Sequence, residues 1–154
     1  MLASTDQTFG EIAAWQSMLE RYSELFVDMQ QGSRIGIVSR EASGILPGKR
    51  LEGVQTSAEV PMLAWQVENG GMAARIERFA GMSSTRVDLL LVADADAMAA
   101  MLDQLSGDML TAIKRLIRRG SMMFFVFRTK AELQDAGYED FLDSLGLAFL
   151  GACR

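Results

Sequence analysis

Hydrophobic positions near the start of the chain recur at helical spacing. Ile12, Trp15, Leu19, Tyr22, Phe26 and Met29 are separated by steps of 3, 4, 3, 4 and 3. That rhythm predicts a long amphipathic helix over residues 6–30, with Thr5 or Asp6 as its cap and Gly32 past its end. Met18 and Leu25 widen the stripe. Its narrowness and its aromatic content suggest a seam for self-association, with packing on the protein's own sheet as the alternative.

The pattern then changes period. The run "SRIGIVSR" (33–40) reads as a short β-branched strand. Residues 41–60 are irregular, with Pro47-Gly48 as a turn, and the flanks 34–39 and 51–55 could form a hairpin. Residues 61–81 read as helical, with Pro61 at a first turn, a break at Gly70-Gly71, and Met72, Ile76, Phe79 and Ala80 on one face. "RVDLLLVA" is a near-continuous apolar run, the mark of a strand covered on both faces, and "SMMFFVFR" (121–128) reads as a second strongly apolar strand. Helical segments follow each, the last interrupted near Gly137, and "LAFLGA" (147–152) reads as a final strand. Alternating strands and helices predict an α/β fold. The expected form is a single three-layer domain over 1–154, with a mostly parallel sheet of four to five strands flanked by helices.

Composition narrows the chemistry. The 154 residues carry a net charge of −5 at pH 7, with 15 basic and 20 acidic side chains. Such an acidic chain is a poor nonspecific nucleic-acid binder without a local basic patch. Histidine is absent, which removes Ser-His-Asp and Cys-His catalysis and histidine-based zinc sites. The lone Cys153 excludes an intrachain disulfide. No metal and no cofactor is expected. No apolar run is long enough to span a bilayer and the first residues do not resemble a secretory signal, so a cytoplasmic protein without a membrane partner is expected.

Candidate sites remain few. Asp94 and Asp96 close an apolar strand, where ligands collect in open α/β sheets, but an Asp there is also a preferred helix cap. "SGILPGKR" (43–50) has the outline of a phosphate loop. It departs from that pattern at Ser43, at Arg50 and at its proline, and reads as an exposed basic turn. Were an anion bound, Arg40, Lys49 and Arg128 would meet it beside the two aspartates. Lys114, Arg115, Arg118 and Arg119 form a basic cluster at a helix end, favoured there by the dipole. Glu132, Asp135, Glu139, Asp140 and Asp143 read as the wet face of the last helix.

With no strong catalytic constellation, the sequence argues against an enzyme. It suggests a regulatory or adaptor domain acting through protein contacts, self-associating as a homodimer through the first helix. A nucleotide- or phosphate-ligand domain, degenerate from a P-loop or Rossmann enzyme, is the alternative.

Overall fold

The computed structural model describes residues 9–44, 60–69, 71–79, 81 and 85–147. In chain order the elements are α1 (Ile12–Arg21), α2 (Ser23–Phe26), β1 (Arg34–Ser39), α3 (Arg40–Ser43), β2 (Val60–Glu68), β3 (Gly71–Phe79), β4 (Leu89–Ala93), α4 (Ala95–Asp103), α5 (Met109–Arg119), β5 (Met122–Val126), α6 (Lys130–Asp135) and α7 (Glu139–Ser144). One five-stranded sheet runs in the order β3-β2-β1-β4-β5. Only β1 and β4 pair in parallel; β2, β3 and β5 each join antiparallel. The sheet is therefore mixed and mostly antiparallel, not mostly parallel as expected.

Two local causes account for the difference. The first is the stretch expected to be helical, which is instead the hairpin of β2 and β3. Glu68 pairs with Gly71 across a two-residue turn, and Asn69 sits at φ 54°. Asn-Gly favours such a turn because both residues tolerate the left-handed backbone. The second cause lies between β4 and β5. The chain turns at 104–108 and makes two helices, α4 and α5, rather than one. One helix returns the chain to the end where a parallel strand begins. Two bring it back to the end it left, so β5 starts beside Ala93 and runs antiparallel.

The main core lies between one face of the sheet and the helices. Ile35 and Ile37 of β1, Leu63, Trp65 and Val67 of β2, and Leu89 and Leu91 of β4 point into it. Against them pack Trp15, Met18 and Leu19 of α1, Phe26 of α2, Met98 and Met101 of α4, Ile113 and Leu116 of α5, and Phe141 of α7. Trp65 is the hub, with its ring centroid 6.3 Å from that of Trp15 and 6.4 Å from that of Phe141. Trp15 donates its indole N–H to the Phe9 carbonyl at 2.6 Å.

The N-terminal helix is thus shorter than 6–30 suggested, and it breaks at Tyr22 into α1 and α2. Its stripe is also not a free seam. Trp15, Leu19, Phe26 and Met29 are buried, and Ile12 and Tyr22 are half-buried against the same core. Tyr22 and Arg21 fasten the α4–α5 turn: the Met109 N–H donates to the Tyr22 hydroxyl at 3.1 Å, and Arg21 donates to the Leu105 and Gly107 carbonyls. The expected strand over 147–152 lies, beyond Leu147, outside the described residues, as do Lys49, most of the phosphate-loop-like stretch, and the 51–55 half of the expected hairpin.

Candidate functional site

Strand alternation sends every second residue to the other side of the sheet. On that second face Val38, Val60, Met62, Ala64, Phe79, Val87, Leu90 and Val92 form a separate, buried apolar cluster, with the half-buried Met123 and Phe125 packed against it. All five strands contribute, and among the described residues no helix does. The six helices that build the main core contribute nothing here, and α3 is a single turn at the end of β1.

The centre of this apolar wall is shaped by Gly36. A side chain there would meet Met62 Sδ at 2.7 Å, Val87 Cγ1 at 3.1 Å and Leu90 Cδ1 at 3.2 Å. The missing side chain leaves a dip that the Met62 thioether fills. Methionine is unbranched and polarizable, so it can vacate such a space more cheaply than a branched residue.

Polar groups edge the wall at both ends. At one end Arg34 donates to the Gln66 side-chain carbonyl at 2.7 Å and pairs with Glu77, while Arg75 pairs with Glu68. At the other end Arg40 and Asp94 lie 3.6 Å apart. Each is the next residue of its row beyond Val38 and Val92. Parallel pairing of β1 with β4 brings these two chain-distant residues to the same edge.

The anion-site residues named from sequence therefore divide. Arg40 and Asp94 do meet. Asp94 is at the same time the α4 cap, accepting from the Ala97 N–H at 2.8 Å, and Asp96 is an exposed acid in that helix's first turn. Arg128 belongs to the opposite end of the sheet, where its Nε lies 2.8 Å from Asp88 Oδ1. With strands rising about 3.3 Å per residue, it is some ~20 Å from Asp94. Among the described residues no three His, Cys, Asp or Glu side chains gather as a metal site.

Asp88 is the centre of a polar knot that sequence reading missed. Its carboxylate accepts from the Tyr138 hydroxyl at 2.6 Å and the Arg34 N–H at 3.1 Å, besides Arg128. Burial, and then the hydrogen bond to Asp88, pushes the Tyr138 phenol far above its ordinary range. The signal in the sequence was an acid inside "RVDLLLVA", a place where a charge needs partners. The knot joins β1, β4, α7 and the segment after β5. It is a fastening, filled by the protein's own groups.

On the helix side, a cleft of about 400 Å³ between α4 and α5 is lined by Asp103, Gln104, Asp108, Thr111, Arg115 and Arg119, among others. No helix of the described residues is long and apolar enough to cross a membrane.

No family model matches the chain, and no curated protein matches it. Solved structures that match it include two with the following titles. One, titled "UbiJ-SCP2 Ubiquinone synthesis protein", is 13% identical with a TM-score of 0.42, over 91% of this chain and 93% of that one. The other is a conserved hypothetical protein from Thermus thermophilus, whose title offers sterol carrier protein as a possibility. It is 14% identical with a TM-score of 0.42, over 91% of this chain and 89% of that one.

The expectation of a regulatory or adaptor domain, self-associating through the first helix, is corrected here. The stripe that suggested it is buried in the chain's own core. The nucleotide alternative loses its basis too. The strand that was to lead into a phosphate loop ends in the four-residue α3, closed by Gly44 at φ 78°.

Proposed function

We propose that the chain is a binding or carrier domain for a small apolar molecule of the lipid class, held against the second face of its sheet. The observation that carries this reading is that face itself: a buried apolar cluster to which all five strands contribute, β3 through Phe79 alone, and no described helix does. The described helices cover the other side only, yet the second-face residues Val38 to Val92 of this cluster are each no more than 4% exposed, so an apolar molecule held among them would be out of water. Met62 over Gly36 gives the wall a deformable centre, as a binder of flexible chains requires. The Arg40–Asp94 pair at its edge suits the polar end of such a ligand. The reading rests on these residues and not on the titles of similar structures.

Titration with an environment-sensitive fatty acid, a fluorescent sterol and a short polyprenyl quinone tests it. At least one class should bind saturably. Phe125→Glu, half-buried on the second face, should weaken that binding by at least about tenfold with an unchanged circular dichroism spectrum. Val27→Glu, at an exposed position just after α2, should leave it intact. Absence of saturable binding in all three classes, or full binding by a folded Phe125→Glu protein, would overturn the proposal.

A further inference from the structure

α5 turns two unlike faces inward and outward. Met109, Leu110, Ala112, Ile113 and Leu116 are buried on the core side. The opposite side carries Lys114, Arg115, Arg118 and Arg119, four cations within six residues. Arg115, Arg118 and Arg119 are exposed, and Lys114 lays its aliphatic stem over Gly146. Among the described residues none of the four forms an ion pair. Elsewhere Arg34, Arg40, Arg75 and Arg128 each have a carboxylate partner, and Arg21 donates to backbone carbonyls. The nearby acids form no ion pair with them: Asp108 accepts from Thr111 and feels Arg115 only as its weakest influence, and Asp103 lines the α4 side of the cleft that Arg115 and Arg119 also line. Thr111, Lys114, Arg115 and Arg118 surround a shallow recess of about 190 Å³, a cup walled by three cations and a hydroxyl.

We infer that this face of α5 docks the protein on the surface of an anionic lipid bilayer, with lipid headgroups entering the recess. The inference rests on the apolar-ligand reading for its choice of partner. A water-insoluble ligand is loaded from and delivered to a membrane, so its carrier needs a face that meets one. Charge supplies the rest. The chain is acidic overall, so most of its surface is repelled by an anionic bilayer, and a local group of unpaired cations orients the approach. The contact is peripheral: the outward side of α5 has no exposed apolar side chains to insert. Nucleic acid, the other large polyanion, fits less well, because no aromatic residue interleaves with the cations to stack on bases.

The test is co-sedimentation of the full chain with vesicles of neutral phosphatidylcholine and with vesicles holding about a third phosphatidylglycerol. Partition should favour the anionic vesicles and fall steeply as salt rises from about 50 to about 300 mM. The quadruple variant K114Q/R115Q/R118Q/R119Q should lose at least about tenfold in partition, since each cation near such a surface contributes severalfold. Sodium phosphate should compete no better than sodium chloride of equal ionic strength. Binding of the variant to the apolar probes should be unchanged, which separates the two ideas. If no probe binds but vesicle binding needs the four cations, the docking face stands and the ligand reading fails. Equal partition to neutral and anionic vesicles, full partition by the variant, competition specific to phosphate, or tighter binding to a DNA duplex than to vesicles would each overturn the docking face.

Discussion

The jobs of single residues here can be separated by measurement. Tyr138 is buried and donates to Asp88, so its loss is felt twice. Tyr138→Phe should cost about 1–3 kcal/mol in denaturant unfolding, the range for stranding a buried partner. It should also change the alkaline limb. The folded phenol holds its proton well above the ordinary 10.0, so stability is full below pH 10 and falls as pH rises beyond it, where the unfolded chain ionises first. The Phe variant should lack that part of the slope. Asp108 works in the opposite direction. Hydrogen bonds from the Thr111 hydroxyl, then from its backbone N–H, hold the Asp108 carboxyl below 3.8. Its contribution is present above that pH and disappears as acid brings the solution down through the folded value. Asp94→Ala removes a cap and should cost about 1 kcal/mol, read as a shift in the urea midpoint at constant slope. Arg40 adds little to that figure, because the pair is partly solvated.

Elements explain what could and could not be read from the chain. β4 and β5 were legible as unbroken apolar runs, and the helices after them as periodic ones with clear caps. Asp108 and Thr129 each cap through their own side chain, Thr129 with Glu132 in a reciprocal box. β2 was illegible as a strand because most of it is buried, on both of its faces. Its two apolar faces erase the alternation that marks a half-exposed strand, leaving a run that also fits a helix. The decisive local signal was Asn69-Gly70, a turn dipeptide between two equal strands. The second face of the sheet was invisible for a related reason: it exists only once Val38, Met62, Leu90 and Met123 are brought side by side. The Arg40–Asp94 meeting was partly legible, since both end apolar strands, but it needed the parallel register to become a pair. Two tests belong to this scale. Asn69→Gly should be near neutral, whereas Asn69→Val, forced into a left-handed backbone, should cost about 1–3 kcal/mol. Trp15→Ala should cost about 3–5 kcal/mol and unfold at lower temperature at any protein concentration, the signature of a core residue rather than an interface one.

For the whole molecule, the two sides of the sheet have different tasks. One side is closed by helices, and both sides bury apolar side chains that stabilise the fold. The other is the apolar wall assigned to the ligand, and α5 offers its cations from the helix layer. Binding to the folded state alone should therefore raise thermal stability. At a hundred times its dissociation constant a ligand adds about 2.7 kcal/mol, or roughly 5–10 °C for a chain of this length, by differential scanning calorimetry. The size of that shift should follow the probe ranking found by fluorescence.

The single parallel pair also sets an order of events in time. β2 and β3 meet across two residues, so their hairpin closes on the microsecond scale of local structure. β1 and β4 meet only after a long loop closes, since Arg34 and Asp88 stand 54 residues apart. Distant pairing of this kind carries its entropy cost before it returns any contact. The wall that would hold the ligand is thus completed by the last strand pairing to form. Until then Val38 and Leu90 lie open to water and to other chains, and the newly made protein is most prone to aggregate in that interval.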